Sequence, residues 1–166
     1  MMRESLSQKA LRTLLSETAR TTGVEFFRSL VRSLADVLET DSAWLTELDA
    51  ERRRLRSLAF WNFGKFVEHY EYNVEGTPCE PVIKNCSLAH FPERVIDLFP
   101  HDPDLKPAKA FSYIGVPVID TAGELIGHLA AMDSKPMPEM PGLEEVMGLF
   151  AARAAAEYER LRLEQD

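Results

Sequence analysis

Ser112-Tyr113-Ile114-Gly115-Val116-Pro117-Val118-Ile119-Asp120-Thr121-Ala122-Gly123-Glu124-Leu125-Ile126-Gly127-His128-Leu129-Ala130-Ala131-Met132 is the stretch that decides the fold. Two apolar runs, 111–119 and 124–132, flank Asp120-Thr121-Ala122-Gly123, a cluster of turn-forming residues. The arrangement predicts a tight antiparallel hairpin.

Upstream, strands are predicted over 43–48 and 55–63, joined by a charged turn at Asp49-Ala50-Glu51-Arg52. In the second strand Leu55, Ala59, Trp61 and Phe63 are expected on one face, with Leu58 and Phe60 on the other. Apolar residues on both faces imply a strand covered on both sides. A third, shorter strand is expected over 69–74, where Tyr70, Tyr72 and Val74 alternate with His69, Glu71 and Asn73. Two helices precede these strands. Leu6, Ala10, Leu11, Leu14, Leu15 and Thr18 recur at helical spacing over 6–19, opposite a polar face. After a break at Thr21-Thr22-Gly23, Thr22 and Glu25 form a capping-box pattern. A second helix follows, with Phe26, Phe27, Leu30, Val31, Leu34, Val37 and Leu38 on a wide stripe, ending near Thr40-Asp41.

The segment 76–110 is irregular. Thr77-Pro78-Cys79-Glu80 carries the signals of a short helix start, with a Thr cap and Pro in the first turn. A small strand is expected over 87–91 and one or two helical turns over 93–99, followed by a loop punctuated by Pro100, Pro103 and Pro107. Beyond the hairpin, Pro136, Pro138 and Pro141 lead into a last helix from about Gly142. There Leu143, Met147, Phe150, Ala154 and Leu161 recur at steps near 3.5, a spacing suited to a partner helix. That helix runs to Asp166 without a capping glycine, which predicts continuation into a further module. The whole is a single α+β domain over 1–166 with a central antiparallel sheet. The terminal helices are expected on one face, and the irregular middle over a pocket on the other.

Composition narrows the function classes. The chain has 166 residues, 45% apolar and 28% charged, with a formal net charge of −8. An acidic domain repels phosphate backbones and anionic lipid, so neither nucleic acid nor membrane is an expected partner. The basic run Arg52-Arg53-Arg54 with Arg56 reads as a solvated hairpin end. No apolar run reaches the length of a membrane span, and residues 1–13 lack the pattern of a secretion signal, which together predict a cytoplasmic location.

The hairpin, read as Ser112-x-x-x-Val116-Pro117-Val118, a turn, and Gly123-x-x-x-Gly127-x-Leu129, resembles the GAF family. So do Gly76-Thr77-Pro78-Cys79-Glu80, Phe91-Pro92 and Leu98-Phe99-Pro100. The match spans about 23–161, with an N-terminal amphipathic helix over 1–20 and a C-terminal signalling helix over 142–166. It is similar to GAF domains at the front of bacterial sensor kinases and of activators of the formate-hydrogenlyase-regulator kind. The resemblance implies a sheet of five or six strands and terminal helices that dimerise and relay a signal to an output module, a histidine kinase or transcription activator. It also implies a small-molecule ligand beneath the middle helices. It names no cofactor.

Eight residues are candidates for that ligand site: Phe60, Tyr72, Cys79, His90, Phe91, Phe99, Tyr113 and His128. His90, beside Phe91 in the irregular segment, is expected to face the ligand. His128, on a strand beside Ile126 and Ala130, reads either as a hydrogen-bonded sheet residue or as a pocket donor or haem ligand. The aromatics read as core residues that double as pocket wall. Cys79 and Cys86 read as small buried residues, or else as a redox pair or, with His90, a metal site. The free methionine sulfoxide reductases, GAF-type enzymes, make a cysteine-based redox enzyme one alternative, although their usual third cysteine is missing here. A structural dimerisation domain without ligand is the other. The sequence has no His-x-x-x-His or Cys-x-x-Cys, so neither catalytic residues nor a metal site are expected.

Overall fold

The computed structural model describes residues 4–18 and 20–165. Ala19, the expected last residue of the first helix, lies outside the described residues, as do 1–3 and Asp166. Helix α1 (Leu6–Thr18) turns Ala10, Leu14 and Thr18 inward at four-residue spacing and leaves Leu11 and Leu15 about half exposed. Helix α2 (Gly23–Leu38) buries Phe26, Phe27, Leu30, Val31, Leu34 and Val37. Its start corrects the expected capping box. Thr22 has the extended backbone of a cap, but its hydroxyl makes no bond to the helix. The Gly23 N–H instead donates to Glu157 Oε2, 2.5 Å away on the last helix. A carboxylate is a strong acceptor, and it takes the first free amide of the helix, whereas a capping hydroxyl would take the second or third.

Strands β1 (Ser42–Asp49) and β2 (Arg54–Asn62) form an antiparallel pair. Arg52 pairs with Asp49, Arg53 with Glu75 and Glu80, Arg54 with Glu71 and Arg56 with Glu47, all at the solvated hairpin end. Leu45 faces Ala59 while Thr46 faces Ser57, so Leu58 is an extra residue in β2. That bulge overturns the expected face assignment. Leu55 joins Phe60 on one side, and Leu58 packs with Ala59 and Trp61 on the other. One inserted residue reverses the alternation for everything before it.

The chain then turns through Phe63 and Gly64, both with positive φ, into the two-residue strand β3 (Lys65–Phe66). The expected strand over 69–74 contracts to β4 (Glu71–Asn73), because His69 adopts a left-handed backbone (φ 56°) that no strand continues through. Helix α3 (Cys79–Asn85), strand β5 (Ala89–Phe91) and helix α4 (Val95–Leu98) occupy the irregular middle. At the start of α3 the Thr77 hydroxyl donates back to the Val74 carbonyl at 2.7 Å rather than accepting from the helix, a second departure from the expected cap.

The decisive hairpin is β6 (Ser112–Ile119) and β7 (Leu125–Asp133). Its turn closes through Asp120, whose Oδ1 accepts the Ala122 and Glu124 amides. Gly123 takes φ 83°, a conformation that favours glycine. The antiparallel sheet runs β3-β2-β1-β7-β6-β5, with β4 also paired to β2, seven strands in all among the described residues. A second bulge, at Ile126, sets Gly127 against β1. A Cβ on Gly127 would overlap the Thr46 carbonyl oxygen and sit 2.7 Å from its carbonyl carbon. The strand motif therefore needs glycine there for close backbone approach.

Helix α5 (Leu143–Gln165) buries Leu143, Met147, Phe150 and Ala154. Sequence spacing assigned this stripe to a partner helix; it packs instead on α1, α2 and the sheet of its own chain. Together α1, α2 and α5 cover one sheet face, over Ala43, Leu45, Ile114, Val116, Leu129 and Ala131. The intervening residues Trp44, Tyr113, Ala130 and Met132 point the other way, under α3, α4 and the loop before β6.

Candidate functional site

On that second face lies a cavity of about 300 Å³. Trp44, Phe60, Tyr113 and Met132 form its sheet wall, Val67, Tyr70 and Tyr72 one flank, and Thr77, Pro78 and Cys79 the start of α3. Asp102, Asp104, Leu105, Pro107 and Ala108 close it from the loop before β6. Its aromatic rings touch in sequence: Tyr113 to Trp44 at 6.0 Å, Trp44 to Phe60 at 5.5 Å, Phe60 to Tyr70 at 5.3 Å and Tyr70 to Tyr72 at 5.0 Å between centroids.

A polar network centres on the buried Cys79 sulfur. His128 Nε2 lies 2.9 Å from it, Tyr72 Oη 3.2 Å and Tyr113 Oη 3.5 Å. Indole is a donor only, so Trp44 Nε1–H donates to Tyr72 Oη at 2.9 Å and leaves the Tyr72 proton for the sulfur. Thr46 Oγ1 accepts the backbone N–H of His128 at 3.2 Å and lies 2.5 Å from His128 Nδ1. The Thr46 hydroxyl also lies 3.3 Å from the His128 carbonyl oxygen, so both the backbone and the ring of His128 are held by one side chain while Nε2 faces Cys79. Burial drives the His128 pKa down to about 3. It pushes the Cys79 thiol up to about 11, against bonds from the Tyr113 and Tyr72 hydroxyls that pull it down. Tyr72 and Tyr113 are raised well above 10, also chiefly by burial. The network is polar and uncharged at neutral pH.

The structure brings Phe60, Tyr72, Cys79 and Tyr113 together as cavity wall, with His128 directly beneath Cys79. Phe91 and Phe99 form an edge-on pair at 5.2 Å, and Phe91 stands 6.0 Å from Tyr113, so they support that ring from behind. His90 is placed elsewhere, correcting the expectation that it faces the ligand. It pairs with Ile114 on the helix-covered face, and its Nε2 lies 2.7 Å from the Met137 carbonyl oxygen. Cys86 is exposed at the left-handed end of α3. At about 1.5 Å of rise per residue, α3 separates the cysteines by roughly 10 Å, beyond disulfide reach. Cys79, Cys86 and His90 thus form neither a redox pair nor a metal site.

Among the wall residues that escape sequence reading are Trp44, Tyr70, Asp102 and Asp104. Strand alternation from Phe60 across the β1–β2 pair, where Trp44 faces Phe60, would have found Trp44. The loop around the two aspartates has no periodicity to read. Asp102 Oδ1 accepts the Asp104 N–H at 2.8 Å, and Asp104 takes the Tyr70 hydroxyl. Burial raises the Asp102 carboxyl above its ordinary value, against the Asp104 backbone N–H, which pulls it down.

Residues 8–158 match the family model of the GAF domain. The chain belongs to the GAF family. GAF domains are sensory, ligand-binding domains and are in general non-catalytic. Among solved structures, the GAF domain of an Acinetobacter phosphoenolpyruvate-protein phosphotransferase superposes with a TM-score of 0.78 at 14% identity, over 98% of this chain and 99% of that one. The corresponding GAF domain from Coxiella burnetii gives 0.77 at 20% identity, over 95% of each. A free methionine-R-sulfoxide reductase from Neisseria meningitidis, in complex with its substrate, gives 0.74 at 16% identity, over 99% and 96%. No curated protein matches this GAF domain in sequence. At these identities the likenesses establish the fold. No helix among the described residues of the GAF domain is long and apolar enough to cross a membrane.

Proposed function

We propose that this GAF domain is a non-catalytic cytoplasmic sensor whose small-molecule ligand occupies the aromatic-walled cavity. The observation that carries the reading is the cavity itself: about 300 Å³ of space bordered by five touching aromatic rings, over an uncharged polar floor. Such concave, mostly apolar sites with a few convergent polar groups suit small molecules. Occupancy shifts the sheet against α1, α2 and α5, and the terminal helices relay that shift to an output module, a histidine kinase or a transcription activator. The domain acts as a homodimer. Because the α5 stripe lies in its own core, the dimer contact falls to outer helix surfaces, where Leu11, Leu15 and Leu163 are exposed.

Native mass spectrometry of freshly purified protein tests the reading, since it reports a retained ligand and the oligomeric state together. A small-molecule adduct that disappears in Tyr72→Ala is the expected result. An unliganded protein that no small molecule stabilises against heat would remove the sensing role. The reductase reading has less support: a thiol held protonated by burial, with no second cysteine in reach, is a poor nucleophile. Methionine sulfoxide reduction that is lost in Cys79→Ala would reverse that ranking.

A further inference from the structure

We infer that the cavity selects an organic cation, a small primary amine or quaternary ammonium compound. This rests on the proposed ligand-binding role and names the ligand class. The cavity's charged lining consists of two carboxylates, Asp102 and Asp104, and no Lys, Arg or His lines it among the described residues. Neither aspartate takes part in an ion pair among the described residues, whereas Glu68, Glu75, Glu47 and Glu157 each pair with an arginine. Lys106 and Lys109 belong to the same loop, yet both are exposed and absent from the wall.

The remaining wall is aromatic. Trp44, Phe60, Tyr70 and Tyr72 follow one another at 5.0–5.5 Å, tilted 39–59° to their neighbours, so ring faces and edges curve around one space. Ring faces carry the negative end of the quadrupole and attract a cation within about 6 Å. A half-buried carboxylate without a countercharge is unfavourable, and burial already raises the Asp102 carboxyl. A bound ammonium group supplies that countercharge, whereas an anion would meet two carboxylates and π faces. The formal charge of −8 draws cations to the domain at longer range. At about 30 Å³ per water-sized group, the space holds on the order of ten non-hydrogen atoms.

Two isosteric sets separate charge from shape: choline, 3,3-dimethylbutanol and 3,3-dimethylbutanoate; and benzylamine, benzyl alcohol and benzoate. Binding is measured by calorimetry and by fluorescence of Trp44 in a Trp61→Phe background, since Trp61 lies on the helix side. In at least one set the cation is expected to bind about tenfold or more tightly than its neutral isostere. Asp102→Asn and Asp104→Asn, singly and together, are expected to erase that preference while leaving the alcohol's affinity unchanged, which also reports an intact fold. Alcohols or carboxylates that bind as tightly as the cations would overturn the inference and leave the ligand-binding role standing. Failure of all six probes, in a protein that also shows no retained ligand by native mass spectrometry, would overturn both.

Discussion

Thr46 anchors His128 from a position with no exposure of its own. Its hydroxyl accepts the His128 N–H and lies against Nδ1. Thr46→Val keeps the shape and strands both groups, so it should cost about 1–3 kcal/mol in chemical denaturation. The buried imidazole itself should stay neutral across roughly pH 5–8, with flat NMR shifts. Its folded pKa of about 3 lies below the ordinary 6.5. Between those values the unfolded chain takes a proton that the folded chain refuses, so stability falls as pH drops from 6.5 toward 3, and His128→Gln should flatten that limb. Phe60, Tyr72, Cys79 and Tyr113 were legible as site residues because each lies in or beside a regular element. His90 was misplaced because β5 is three residues long, and its facing is fixed only by pairing with Ile114. Asp102 and Asp104 sit where no pattern exists to be read.

At the scale of elements, contacts distant in sequence decide what local signals leave open. Gly127 illustrates the point, since its need for glycine comes from the Thr46 backbone one strand away. Gly127→Ala should separate β1 from β7 and cost about 3 kcal/mol or more, seen as a large fall in melting temperature. Glu157 is the second case. It caps α2 from 134 residues away, and Arg160 first, then the Gly23 amide, hold its carboxyl below the ordinary 4.5 despite burial. Glu157→Gln keeps an acceptor for the amide but loses the charge at the helix N-terminus and its pair with Arg160, and should cost about 1 kcal/mol. Because the folded pKa is depressed, that contribution is present above pH 4.5 and is lost as pH falls below it, so wild type and variant should converge in acid. The hairpin and terminal helices were legible because period and turn residues agree over long stretches. The bulge at Leu58 was not, because an inserted residue leaves no mark on composition, and it carried Leu55 to the cavity side.

The molecule as a whole is a sheet with a helical layer on one face and a cavity layer on the other. Sequence order made that layering legible, but the spacing of α5 did not say whose core it would enter. Within one chain the stripe is already covered. Leu11→Glu with Leu15→Glu, on the outer side of α1, should therefore leave melting temperature nearly unchanged while turning the proposed dimer into a monomer in sedimentation. The alternation along the central strands has a further consequence. Tyr113 and Ile114 are neighbours in sequence but belong to opposite layers, as do Trp44 with Leu45 and Ala130 with Ala131. A substitution at every second position thus alters the cavity wall and leaves the helix-covered face untouched. On the proposed sensing role, such a scaffold separates the choice of stimulus from the helical layer that would relay it.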